Sequence, residues 1–162
     1  MSLPRRSGAA QGRGLAVARY KNSGAYCALV VEIEVTDRVH LDRAWVAVDA
    51  GEVINPDGLI NQIEGGVLQA ASWTLKESEA WDARGPKLSG WDDYPILSFG
   101  EAPAAVEVKV LVRPEMPPLG VGECAAGPTA AAIANALYDA LGLRARHLPL
   151  TPQKLRQLIA ES

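Results

Sequence analysis

Two apolar, β-branched runs with a three-residue polar break between them constrain this chain more than any other feature. Residues 25–35, AYCALVVEIEV, are rich in Val, Ile and Tyr and end in a V-E-I-E-V alternation. Side chains on a strand point to opposite faces in turn, so this is a strand, buried at first and half exposed at its end. Thr36-Asp37-Arg38 interrupt it, and HLDRAWVAVD at 40–49 reads as the returning strand of a hairpin. A third strand is expected at 105–112, AVEVKVLV, with Val106, Val108, Val110 and Val112 on one face. Glu107 and Lys109 fall on the other face, which is expected to be partly wet.

Helical signals surround these strands. Asn55-Pro56 is a capping residue followed by a proline suited to the first helical position. Ile60, Ile63, Val67, Ala70, Ala71 and Thr74 then keep helical spacing. In GVGECAAGPTAAAIANALYDALG, residues 120–142, Pro128 suits a first turn and Gly142 a stop. Ile133, Ala136, Leu137, Ala140 and Leu141 make its apolar stripe. A third helix is expected from Thr151-Pro152 through Leu155, Leu158 and Ile159. Residues 80–103 hold Gly, Pro, Ser, Asp and two Trp, the composition of a long loop, of a kind that is either functional or disordered. The order ββαβαα predicts an α+β fold, with helices packed on one side of a mainly antiparallel sheet. Residues 1–13 read as a flexible arm, and 14–162 as a single domain.

Composition sets limits on function. A net charge of −3 offers no broad attraction to nucleic acid or anionic membrane. The four Trp do not interleave with basic residues as a single-strand stacking surface would. No apolar run is long enough to span a bilayer, and the basic start MSLPRRSGAAQGRG lacks the apolar core of a signal peptide. Two cysteines, Cys27 and Cys124, make neither a disulfide framework nor a zinc site; they read as reduced, buried thiols, with a single bridge as the alternative in an oxidising compartment. His40 and His147 lack metal-site spacing, so no protein-ligated metal is expected.

Two clusters carry chemistry. Glu123 is a lone acid in a glycine-rich turn before a helix. There backbone N–H groups can approach a ligand, and a carboxylate can act as a general base. Its spacing by itself better suits a solvated acid near a helix N-terminus, worth at most about 1 kcal/mol. In QIEGG, residues 62–66, Gln62, Gly66 and Gln69 share a helix face away from Ile63 and Val67. Two adjacent glycines cost a helix about 1 kcal/mol each. They suit either a large group lying against the helix or close helix–sheet packing. Gly12-Arg13-Gly14 is too short for a dinucleotide fingerprint.

Four segments in this order resemble the C-terminal part of the molybdenum-binding subunit of the xanthine oxidase family. The likeness is nearest to isoquinoline 1-oxidoreductase beta subunits and related aldehyde oxidoreductases. The segments are GRGLAVARYKNSGAYCALVVEIEV at 12–35, VDAGEVINPDGLINQIEGGVLQAASWTLKE at 48–77, WDDYPIL at 91–97, and GVGECAAGPTAAAIANALYDALG at 120–142. The resemblance implies that Glu123 is the catalytic base beside a molybdenum held by the dithiolene of a pterin. That cofactor would be of the molybdopterin cytosine dinucleotide type. Gln62, Gly65, Gly66, Gly120, Val121 and Gly122 would border it. The implied reaction oxidises an aldehyde or an N-heterocycle with water as the oxygen source.

Departures accompany the likeness. Cys124-Ala125 follow the glutamate where family members often carry Pro-Pro or Pro-Thr. A full molybdenum subunit is several times longer, and no iron–sulfur cysteine cluster is present. The resemblance therefore implies two partners, the rest of the molybdenum subunit and an iron–sulfur subunit. The chain alone is expected to be inactive, to hold no cofactor tightly and to self-associate through the face left uncovered. A non-catalytic scaffold that kept the fold is the competing reading. Cytoplasm and periplasm both stay open.

Overall fold

The computed structural model describes residues 9–21, 24–87 and 90–161. Its main sheet has four strands. They are β1 (Ala10–Arg19), β2 (Tyr26–Val35), β3 (Val39–Asp49) and, after helix α1 (Pro56–Leu75) and a two-residue hairpin of β4 (Trp81–Asp82) and β5 (Gly85–Pro86), β6 (Ala105–Leu111). Helices α2 (Ala126–Leu141) and α3 (Pro152–Ala160) complete the chain. The strand order is β1-β2-β3-β6. The first two pairings are antiparallel, and β6 joins β3 in parallel after the crossover through α1. This is the expected α+β class.

The cap residues act as their chemistry requires. Asn55 Oδ1 accepts the Gly58 N–H at 2.9 Å, with Pro56 opening α1. Thr151 caps α3 in the same way through the Lys154 N–H. Gly142 ends α2 at φ 71, a left-handed conformation that glycine adopts without strain. The core lies between the helices and one sheet face. Cys27, Leu29, Val31 and Ile33 of β2 and Leu41, Ala44, Val46 and Val48 of β3 meet Ile63 and Val67 of α1 and Ile133 and Leu137 of α2. The opposite face stays open, and Leu15, Ala28, Val30, Trp45 and Ala47 line a shallow apolar groove on it.

β1 departs from the three-strand expectation. It starts at Ala10, inside the stretch read as an arm, while residues 1–8 lie outside the described residues. Its run of Gly and Ala carries little strand propensity, and the partner helix explains the composition. A Cβ on Gly12 would run into the Ala136 carbonyl oxygen, and one on Gly14 into that of Ala132. The α2 backbone thus lies directly on the strand. Side chains of α2 also satisfy the outer edge of β1. Asp139 accepts the Arg13 N–H at 2.9 Å, and Asn135 donates to the Leu15 carbonyl at 3.0 Å.

The described residues of the 80–103 stretch are mostly loop and are pinned to α1. Lys76 Nζ reaches Glu101 at 2.6 Å, Ser72 accepts the Leu97 N–H at 2.8 Å, and the Tyr94 hydroxyl donates to Glu77 at 2.9 Å. Lys76, then Ser98, hold the Glu101 carboxyl down at about 2. At the other end of β6, Val112 falls just past the strand end rather than on it.

The close approach of β1 to α2 separates glycines that pack from glycines that do not. Gly14→Ala is expected to lose about 3 kcal/mol in urea unfolding, because backbone must move to admit the methyl. Gly65→Ala, whose added Cβ meets nothing within 4 Å, is expected to gain about 1 kcal/mol from helix propensity. Equal effects at the two positions would contradict this packing.

Candidate active site

The turn before α2 forms one wall of the site. Its backbone closes on itself through Cys124 N–H to Val121 C=O at 3.1 Å and Ala126 N–H to Glu123 C=O at 3.1 Å. Val121 and Cys124 point inward and are buried, whereas Gly120, Gly122 and Glu123 are exposed. Val121 is thus a core anchor of the turn. Leu119 ties the segment to the end of β3 through its N–H to the Ala50 carbonyl at 3.0 Å. Among the described residues, the N–H groups of Gly120, Gly122 and Glu123 reach no protein acceptor. A Cβ on Gly120 would meet nothing within 4 Å.

Helix α1 supplies the second wall. Its Gln62 side chain leans over the turn, with Oε1 3.7 Å from where a Gly122 Cβ would stand. Gln62, Gly65 and Gln69 are exposed along one side of the helix, and Gly65 has open space above it. Gly66 is different. It is buried, and a Cβ there would press on the Ala125 methyl at 3.3 Å. Packing accounts for Gly66, and an open surface accounts for Gly65. The structure therefore brings Gln62, Gly65, Gly120, Gly122 and Glu123 onto one surface, and places Gly66 and Val121 just beneath it.

Sequence reasoning missed Tyr20. It follows β1, and its hydroxyl donates to Glu123 Oε2 at 3.1 Å across 103 residues of chain. No local pattern announces such a contact; only the tertiary path of β1 creates it. Among the described residues no three His, Cys, Asp or Glu side chains converge as metal ligands. The groups here are N–H donors, an amide that both donates and accepts, and one carboxylate acceptor. They suit the polar rim of an organic cofactor rather than a bare metal ion.

Beneath the turn, Cys124 and Cys27 are both buried free thiols. Cys124 Sγ lies 3.8 Å from the Ala25 carbonyl oxygen. Its hydrogen bond with Cys124, and then burial, push the Cys27 thiol far up. The same bond draws Cys124 down, with Cys27 as donor. Neither sulfur is accessible, so native protein is expected to react with almost no Ellman's reagent, and both thiols to react after denaturation. Rapid labelling of folded protein would contradict this burial.

Comparison with known proteins follows the same lines. Residues 7–103 match the molybdopterin cofactor-binding domain; the match includes Gln62, Gly65 and Gly66 and ends before the 120–125 turn. A nicotinate dehydrogenase subunit from Pseudomonas putida is 42% identical over 155 residues, 90% of this chain and 13% of that protein. The beta subunit of isoquinoline 1-oxidoreductase from Brevundimonas diminuta is 33% identical over 149 residues, 90% of this chain and 19% of that protein. The chain thus spans less than a fifth of the length of these relatives. Among solved structures, quinoline 2-oxidoreductase from Pseudomonas putida 86 superposes with a TM-score of 0.77 at 27% identity, over 85% of this chain and 19% of that one. The aldehyde oxidoreductase from Desulfovibrio desulfuricans gives 0.72 at 28% identity, over 83% of this chain and 15% of that one.

Proposed function

The chain belongs to the molybdopterin cofactor-binding domain family, and from that premise we propose that it carries the catalytic base and part of the pterin cradle of a molybdenum hydroxylase. The substrate class is an aldehyde or an N-heterocycle, with water as the oxygen source. The observation that carries this reading is the shared surface of Glu123, Gln62 and three exposed glycines, of which Gly65 and Gly120 have open space above them and Gly122 lies beside Gln62. A scaffold that needed these glycines for packing would have them covered. Instead a Cβ at Gly65 or Gly120 would stand in open space.

The residues present fit a molybdenum–pterin group, which we propose to be of the molybdopterin cytosine dinucleotide type. Gln62 offers an amide donor and acceptor to the pterin edge. The free N–H groups of Gly120 and Gly122 offer donors to its oxygens, and the missing side chains permit close approach. When bound, that group supplies the redox chemistry and accepts the electron pair removed from substrate. The protein's own task is the proton. The Tyr20 hydroxyl donates to Glu123 Oε2, and the other carboxylate oxygen, which has no partner among the described residues, can accept a proton from the water-derived nucleophile. Exposure of Glu123 in this chain suits a residue facing a cleft that a further part of the subunit closes. The rest of the molybdenum subunit and an iron–sulfur subunit, which would carry the electrons away, are the partners in this reading.

Glu123→Gln in the assembled enzyme tests the assignment. Turnover is expected to fall roughly 10²–10⁴-fold, the range for a lost general base. Folding and molybdenum content are expected to persist, since the exposed carboxylate supports neither core nor metal. Near-wild-type turnover at full metal loading would leave the turn with a structural role only.

A further inference from the structure

The contact between α2 and β1 sets more than stability. Gly12 lies against the helix at Ala136 and Ala140, and Gly14 against Ala132 and Ala136, so strand and helix run in opposite directions. From Gly14 the chain advances to Tyr20, about 20 Å at a strand's rise per residue. From the helix level opposite Gly14, near 134, back to Glu123 is about 17 Å at a helix's rise. The two paths end together, and there the Tyr20 hydroxyl meets Glu123 Oε2 at 3.1 Å.

The end of the hairpin is shaped to hold that meeting. Tyr20 N–H donates to the Ala25 carbonyl at 2.8 Å. Lys21 at φ 54 and Ala25 at φ 52 both occupy the left-handed region, which non-glycine residues rarely adopt without an external hold. Part of that hold is the turn itself. Cys124 Sγ approaches the Ala25 carbonyl oxygen, and a Cβ on Gly24 would strike the Leu119 side chain. Leu119 and Cys124 flank the segment that carries Glu123, so the hairpin end grips the turn on both sides. The Tyr20 ring packs against the core, and the Lys21 ammonium lies 5.1 Å from its centroid. A phenol fixed in this way is a rigid donor.

We infer that Tyr20 is a positioning residue for Glu123. It fixes one carboxylate oxygen so that the other faces the reacting proton. The role rests on the reading of Glu123 as the base. A glutamate in a glycine-rich, exposed turn has many rotamers, and a base must be aimed to be useful. Tyr20 removes that freedom without touching substrate. Its loss should therefore slow the proton-transfer step and leave substrate binding nearly unchanged.

Tyr20→Phe keeps the ring in the core and removes only the hydroxyl. Two measurements test it. In the isolated chain, urea unfolding of wild type, Tyr20→Phe, Glu123→Ala and the double variant reads the coupling directly. Tyr20→Phe is expected to shift the unfolding equilibrium constant about fivefold with Glu123 present and less than about 1.5-fold with Ala there. In the holoenzyme, Tyr20→Phe is expected to lower kcat about tenfold with KM within about twofold. Absence of coupling in the unfolding cycle would overturn the inference. So would a full kcat for Tyr20→Phe in an enzyme that Glu123→Gln inactivates, because the base would then need no aiming. Full activity of Glu123→Gln would remove the base assignment itself and the inference with it. The unfolding cycle, which does not depend on catalysis, separates that failure from a failure of Tyr20.

Discussion

The absence of side chains at Gly12 and Gly14 is the constraint on which the rest of the structure depends. With no Cβ in the way, the α2 backbone rests on β1, and the carbonyls of Ala132 and Ala136 occupy the space a side chain would fill. That contact sets the height of α2 along the sheet. The height of α2 sets where the preceding turn stands, and the turn carries Glu123. Ala140 answers Gly12 from the helix side, its methyl 2.9 Å from where a Gly12 Cβ would stand, so a larger residue there would press the helix away from the strand. A short motif with no chemistry of its own thus determines where the proposed base sits.

The second wall follows from the same economy of size. Gly66 lets α1 close on Ala125 at the start of α2, which brings Gln62 over Gly122. One step away, Gly65 faces outward into open space. Adjacent glycines therefore do different work: one seats the helix against its neighbour and the other leaves room on the surface. Spacing alone left packing and ligand approach as alternatives for the pair. The structure gives packing to Gly66, and the free surface at Gly65 supports the cofactor reading.

Much of the fold was legible where the signal was local. Asn55-Pro56, Thr151-Pro152 and Gly142 mark helix ends by chemistry contained within a few residues. The V-E-I-E-V alternation marks β2 for the same reason. β1 was not legible, because the Gly-rich composition of GRGLAVAR answers a helix more than 100 residues later, while its strand state comes from pairing with β2. The parallel seating of β6 beside β3 also depends on the crossover through α1, which no periodicity encodes. In the site, Glu123 and Gln62 stood out by resemblance, and the structure places both at one surface. Tyr20 had no local signature, since a tyrosine after a strand is ordinary until the chain folds it onto a carboxylate.

The central claim is that the face shared by α1 and the 120–123 turn cradles a molybdenum–pterin cofactor. Gly65→Leu tests it most directly, because a Cβ at that position meets nothing within 4 Å in this chain and the larger side chain would stand where the cofactor is proposed to lie. The measurement is the molybdenum content, by elemental analysis, of the complex assembled with the rest of the molybdenum subunit. A stable, folded complex that has lost its molybdenum is the expected result. Wild-type molybdenum loading in the Gly65→Leu complex would contradict the claim.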